Sequence, residues 1–136
     1  MKKFLFFFLL LVSFSILQGQ CPNSDIFLSS QEDIDNFKTR YPGCTQFSKT
    51  LHIYGNTITN LDGLDELTAT TYVVNISRTN LVDLSGLDNI SVMGTLKIWS
   101  NDLLETLSGI GQLTEIDGNF TLQNNGALTD LTHLGN

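Results

Sequence analysis

Residues that commonly carry catalytic or metal-binding chemistry are scarce in this sequence. The chain of 136 residues contains two histidines and two cysteines. His52 and His133 lie far apart, and no further Cys or His lies near the cysteines to complete a metal site. The sequence also lacks a G-x-S-x-G elbow, an H-E-x-x-H motif and a phosphate-binding glycine loop. It therefore predicts a protein without a catalytic site, a metal site or a cofactor.

Long hydrophobic runs are absent after the N-terminus, and the one found there is short. Residues 1–20 begin with Lys2 and Lys3, are apolar from Phe4 to Val12 and end in Gln-Gly-Gln. This layout is typical of a secretory signal peptide, and its apolar part is too short for a confident membrane span. We therefore expect a secreted protein, extracellular or on the cell surface, with no membrane span once the signal is removed.

Positive charge is scarce in the remainder of the chain. Residues 21–136 contain five Lys or Arg residues against fourteen Asp or Glu residues, which gives a net charge of −9. A domain this acidic repels nucleic acid, so no nucleic-acid partner is expected.

Cysteine occurs only as the pair Cys21 and Cys44. An even pair in an exported protein predicts a disulfide, here closing a loop of about two dozen residues. In the chain-entropy model such a bridge contributes on the order of 3 kcal/mol.

The segment around this pair predicts an N-terminal cap over residues 21–50. A short apolar strand, 26–28, precedes the helical sequence SSQEDIDNFKTRYPG. Ser29 or Ser30 is expected to cap the helix, with an acidic residue three positions on, and Pro-Gly ends it. The apolar face comprises Ile34, Phe37 and Tyr41.

From Leu51 the chain repeats itself, in units that start at Leu51, Val74, Leu96 and Phe120. Each unit opens with an apolar-x-apolar triplet, followed by leucine columns and, in three of the units, a glycine. A short amphipathic helix is an alternative for Leu-x-x-Leu-x-x-Leu, but the glycines and the strand-like openings favour a solenoid, in which neighbouring coils bury each other's leucines. The columns are Leu61/Leu84/Leu107/Leu131, Leu64/Leu87/Ile110/Leu134 and Gly63/Gly86/Gly109/His133.

A polar column accompanies the apolar ones, three positions after the second apolar residue of each triplet. Asn tolerates left-handed turns and can satisfy backbone groups of neighbouring coils, so we expect a structural ladder here. Its members are Asn56, Thr79, Asn101 and Asn125.

The order of these features resembles the receptor L-domain, a right-handed β-helix-like module of growth-factor receptors that also occurs in secreted bacterial surface proteins. The stretches CPNSDIFLSSQEDIDNFKTRYPGC, TLHIYGNTITNLDGL and IDGNFTLQNNGALTDL carry the resemblance. The close rival is the leucine-rich repeat, which LKIWSNDL, preceded by Ile90 and Met93, also matches. Either resemblance implies a mainly β, leucine-rich solenoid of about four coils behind a helical, disulfide-pinned cap, and a role in extracellular recognition.

Outward-facing strand residues are the candidate ligand contacts. By strand alternation His52, Asn75, Lys97 and Thr121 share one face with Tyr54, Ser77, Trp99 and Gln123. Tyr54 and Trp99, two coils apart, would then be ~10 Å from each other with Ser77 between them. We therefore predict a ligand-binding patch of His52, Tyr54, Lys97 and Trp99.

The functional prediction is a recognition or adhesion module that binds a protein or a carbohydrate. Two alternatives are a structural spacer of a longer surface protein and part of a carbohydrate-active β-helix enzyme. The repeats occupy residues 51–136. The fourth unit is incomplete, since its next leucine would fall one residue beyond Asn136. We therefore expect the chain to be a fragment or a prematurely ended product.

Overall fold

The computed structural model describes residues 21–134, so the predicted signal peptide lies outside the described residues. The described part is mainly one parallel sheet of seven strands with few helices. Helical segments are confined to two short α-helices in the cap and two turns of 3₁₀-helix. In chain order the elements are β1 Ile26–Leu28, α1 Gln31–Asp35, α2 Phe37–Arg40, β2 Gln46–Phe47, β3 Leu51–Tyr54, a 3₁₀ turn Asp62–Leu64, β4 Ala69–Ser77, β5 Val92–Trp99, β6 Glu115–Ile116, β7 Phe120–Gln123 and a 3₁₀ turn Thr132–Leu134.

The sheet pairs each strand with one that lies 22 to 25 residues earlier in the chain. Ile26 is the partner of Leu51, Leu51 of Val74, Val74 of Leu96, and Leu96 of Phe120, all in parallel register. Parallel neighbours require the chain to return to the same end of the sheet before each strand. The sheet is open, with β1 at one edge and β6 and β7 at the other.

The two long strands, β4 and β5, each carry a second line of pairing near their N-termini. There β2 pairs with β4, β4 with β5, and β5 with β6, again in parallel. An irregularity in register between Thr70 and Val73 separates the two lines. A register irregularity of this kind locally bends and twists the strands that carry it.

The cap is joined to this sheet by β1, which pairs with β3, and it is closed internally by the disulfide between Cys21 and Cys44, which was predicted and is present. The structure differs from the single predicted helix, because Asn36 separates α1 from α2. Both the backbone N–H and the side-chain amide of Asn36 donate to the carbonyl of Glu32, an example of local side-chain bonding that competes with helix propagation.

Ser30 is the N-cap of α1, and its hydroxyl accepts a hydrogen bond from the backbone N–H of Asp33 at 3.2 Å. The Asp33 carboxylate in turn accepts from the backbone N–H of Ser29 at 3.0 Å. These contacts satisfy amide donors that the helix start leaves unpaired. The bond from Ser29 is the largest cause that lowers the pKa of Asp33, with further contributions from the two serine hydroxyls and Arg40 and an opposing one from desolvation.

The leucine columns form the core between the turns of the chain. Leu84 and Leu107 are fully buried, whereas Leu131, the equivalent residue of the last unit, is 50% exposed. Full burial of such a side chain contributes about 1.5–3 kcal/mol.

The glycine column allows successive units to approach closely. Gly109 has a φ of +106°, and a Cβ there would lie 2.0 Å from the carbonyl oxygen of Leu84 in the preceding unit. Gly63 meets the cap in the same way, with a hypothetical Cβ 1.8 Å from the carbonyl oxygen of Ile34. Only glycine fits at these positions without movement of the backbone.

Candidate functional site: the exposed strand face

The outward-facing residues of β1, β3, β4, β5 and β7 form two adjacent rows across the sheet. Each residue of the first row is the Cα partner of the next one. The second row lies two residues further along β3, β4, β5 and β7. We call these nine residues the strand face. The first row is Phe27, His52, Asn75, Lys97 and Thr121, and the second is Tyr54, Ser77, Trp99 and Gln123.

Exposed aromatic rings lie at the β1 edge of the strand face. The rings of Phe27 and His52 stack with their centroids 4.6 Å apart and their planes within 2° of parallel. Phe27 is 57% exposed, and Tyr54, on the same side of β3 as His52, is 42% exposed. Phe27 thus adds a third exposed ring to the region of the predicted contacts His52 and Tyr54.

Phe27 was missed by the prediction because β1 belongs to the cap rather than to the repeat. A signal was nevertheless present, since Ile26-Phe27-Leu28 has the same apolar-x-apolar form as the unit openings and precedes Leu51 by 25 residues. Treating this triplet as an additional strand of the repeat would have placed Phe27 beside His52.

Trp99 occupies a different environment from the one predicted. Its indole N–H donates to the Asn75 side-chain oxygen at 2.8 Å, and the guanidinium carbon of Arg78 lies 4.8 Å from its ring centroid. Ser77, which strand alternation placed on the outward face between Tyr54 and Trp99, is buried, with only 5% of its surface exposed. The indole of Trp99 bonds to the preceding strand, so it supports neighbouring side chains rather than presenting a free ring.

Charge on the strand face has one sign. None of its nine residues is Asp or Glu, although the chain contains fourteen. Lys97 is exposed in the middle of the first row, and Arg78 borders the second. The predicted contact Lys97 therefore lies on a face whose nine residues include no acidic side chain.

The polar column behind this face forms a hydrogen-bonded ladder in three of its four members. The buried Asn101 side-chain oxygen accepts from the backbone N–H and the hydroxyl of Thr79, at 3.0 and 2.8 Å. The Asn125 side-chain oxygen accepts from the backbone N–H of Asn101 at 3.0 Å, and the Asn125 amide donates to Ile98. Asn56 is exposed and takes part only through its backbone carbonyl, which accepts from Asn80.

The residues just before the ladder adopt left-handed backbone conformations, which the sequence did not reveal. Arg78, Ser100 and Asn124 have φ values of 54°, 57° and 55°. Non-glycine residues rarely adopt this conformation, and here the asparagine ladder and the backbone bond from Arg78 N to Ser100 O stabilise it. The left-handed conformation of Arg78 places this residue at the border of the strand face.

A polar cavity of about 740 Å³ is lined by residues of the second and third units and by His133 of the fourth. Asp88, Asn89, Gln112 and His133 are among its lining residues, and within residues 21–134 His133 Nδ1 has no hydrogen-bond partner. Among the described residues no group of three or more His, Cys, Asp or Glu side chains is arranged to hold a metal ion. The cavity thus combines one carboxylate with amides and an imidazole.

Comparison of the chain with models of protein families, with curated proteins and with solved structures finds no match. None of the helices in residues 21–134 has the length and apolar character needed to span a bilayer. The disulfide is typical of proteins from oxidising, extracellular environments.

Proposed function

We propose that this protein is a secreted recognition module that binds a protein or carbohydrate partner at the cell surface through its strand face, without catalysis. We further propose that its chain forms a leucine-rich, β-helix-like solenoid of the receptor L-domain kind. The parallel register with offsets of 22 to 25 residues supports the solenoid, because each strand stacks on its equivalent in the preceding unit.

The observation that carries the recognition proposal is the clustering of exposed rings and hydrogen-bonding groups on one side of the sheet. Phe27, His52 and Tyr54 provide apolar surface at one edge, and Asn75 and Lys97 follow in the next two strands. Rigid aromatic side chains beside a few polar groups are typical of binding surfaces. Their attachment to paired strands rather than to loops keeps their spacing fixed.

The test is binding of the disulfide-bonded protein to arrays of surface glycans and extracellular proteins. We expect wild-type protein to bind and the double variant Phe27→Ala/Tyr54→Ala to lose at least tenfold in affinity, since each exposed ring contributes about 1 kcal/mol or more to an interface. Tyr72→Ala is the matched control, because Tyr72 is 58% exposed in β4 but lies outside the strand face.

Circular dichroism and thermal melting would establish that the double variant remains folded. Equal binding by wild type and the double variant would contradict the proposal. Binding of wild type to neither array would contradict it as well and would favour a structural spacer.

A further inference from the structure

The strand face offers hydrogen-bond donors where a ligand would contact it. The Asn75 side-chain oxygen already accepts from the Trp99 indole, which fixes the orientation of the amide. Among residues 21–134 no acceptor pairs with the Asn75 NH₂ group, which lies in the row between His52 and Lys97. A ligand that approaches this row therefore meets an amide donor beside an ammonium group.

The two cations of this region lack ion-pair partners within residues 21–134, as does Lys49. Within residues 21–134, ion pairs join Lys38 to Asp65 and Arg40 to Asp33, and neither Lys97 nor Arg78 forms one. An ammonium and a guanidinium group without internal carboxylate partners are available for an anionic ligand.

Arg78 is held in place before any ligand binds. Its left-handed backbone is fixed by the bond to Ser100, and its guanidinium lies over Trp99, which is itself fixed by Asn75. A guanidinium beside an aromatic ring keeps a fork of N–H donors that can bind a carboxylate or sulfate through two bonds. This fixed position lowers the entropy lost on binding.

The pattern of the surface favours a glycan over a protein as the carrier of that anion. The exposed rings of Phe27 and Tyr54 lie on β1 and β3, at one edge of the strand face, while its middle carries the polar side chains of Asn75 and Lys97. Protein interfaces have a contiguous apolar centre, whereas sugar rings place C–H faces on single aromatic rings and hydroxyls on amides.

The overall negative charge of the domain restricts how such a ligand binds. Beyond about 8 Å, physiological salt screens the exposed carboxylates elsewhere on the molecule. The affinity must therefore come from direct contact with the strand face rather than from long-range attraction.

We propose that the ligand of the strand face is an acidic glycan whose carboxylate or sulfate groups bind Lys97, Arg78 and the Asn75 amide, while its sugar rings pack on Phe27 and Tyr54. This inference rests on the proposed function and narrows its partner to one chemical class.

The test compares polysaccharides that differ only in charge, by isothermal titration calorimetry with the disulfide-bonded protein. The probes are oligogalacturonate against its methyl ester, and dextran sulfate against dextran, so that the two pairs distinguish a carboxylate from a sulfate ligand. We expect at least one acidic form to bind about tenfold or more tightly than its neutral counterpart, because a charge-assisted hydrogen bond contributes roughly that much.

Two variants then test whether Lys97 causes the difference in affinity between acidic and neutral probes. Lys97→Met is expected to weaken binding of the acidic probe roughly tenfold and to leave binding of the neutral probe unchanged. Lys49→Met makes the same change in net charge outside the strand face and is expected to leave both unchanged.

Several results would overturn the inference. Equal binding of charged and neutral probes that still depends on Phe27 and Tyr54, or binding to proteins alone, would refute the acidic glycan and leave the recognition function standing. An equal loss in Lys97→Met and Lys49→Met would reduce the effect to net charge and refute it too. Absence of binding to every glycan and protein would refute both proposals.

Discussion

The inward-facing and outward-facing residues of the same strands differ in how far they repeat. The inward positions carry Leu51, Val74, Leu96 and Phe120, which are apolar in every unit. The adjacent outward positions carry His52, Asn75, Lys97 and Thr121, which differ in every unit. Repetition on the inside is what stacking requires, because each side chain must pack on its equivalents in the neighbouring units. The outward-facing residues do not have to pack on their equivalents, so they can differ between units and provide ligand contacts.

This comparison predicts that neighbouring residues of one strand have very different effects on stability. Ile98→Ala removes a fully buried side chain between β4 and β7 and is expected to lower the free energy of unfolding by about 2–5 kcal/mol. Lys97→Ala, one position earlier and exposed, is expected to change it by less than about 0.5 kcal/mol. Urea denaturation of both variants measures the contrast. Similar losses in the two variants would mean that the inside and outside of the strand are not separated as described.

The asparagine ladder is expected to show a smaller contrast of the same kind. Asn101→Ala leaves the buried N–H and hydroxyl of Thr79 without their acceptor, so the free energy of unfolding should fall by about 1–3 kcal/mol. Asn56→Ala removes an exposed side chain from the same column and should cost little. Chemical denaturation of the two variants tests this, and an equal cost would show that the column does not act through side-chain bonding.

The cap offers the smallest expected effect, and it depends on pH. Because the pKa of Asp33 is lowered in the folded protein, its contribution to stability is fully present above the ordinary Asp pKa of 3.8 and is lost as pH falls through the lowered value. Asp33→Asn is expected to cost about 1 kcal/mol at neutral pH and less in strong acid.

Glu32→Gln provides the matched control for this prediction, since it removes one negative charge from an exposed position of the same helix. Thermal melting across the acidic range measures the difference between each variant and wild type. A difference for Asp33→Asn that is independent of pH would show that the N-terminal contacts of α1 do not depend on the ionised carboxylate.

Sequence reasoning predicted the mainly β fold and the disulfide because both follow from short patterns. Alternating apolar residues indicate strands, and a lone cysteine pair in an exported chain indicates a bridge. The role of Trp99 could not be predicted, since the bond to Asn75 joins residues 24 positions apart and depends on a side-chain rotamer. The same limit applies to Arg78, whose left-handed backbone depends on a bond to Ser100 in the next unit.

The most direct test of the central claim is to map the bound ligand by amide and side-chain chemical shifts in the nuclear magnetic resonance spectrum of the wild-type protein. Titration with the acidic probe that binds more tightly, oligogalacturonate or dextran sulfate, is predicted to shift the resonances of Phe27, His52, Asn75 and Lys97 and to leave those of the buried columns unchanged. Shifts confined to the cavity beside His133, or no shifts at any concentration of either acidic probe, would contradict the assignment of the strand face as an acidic-glycan site.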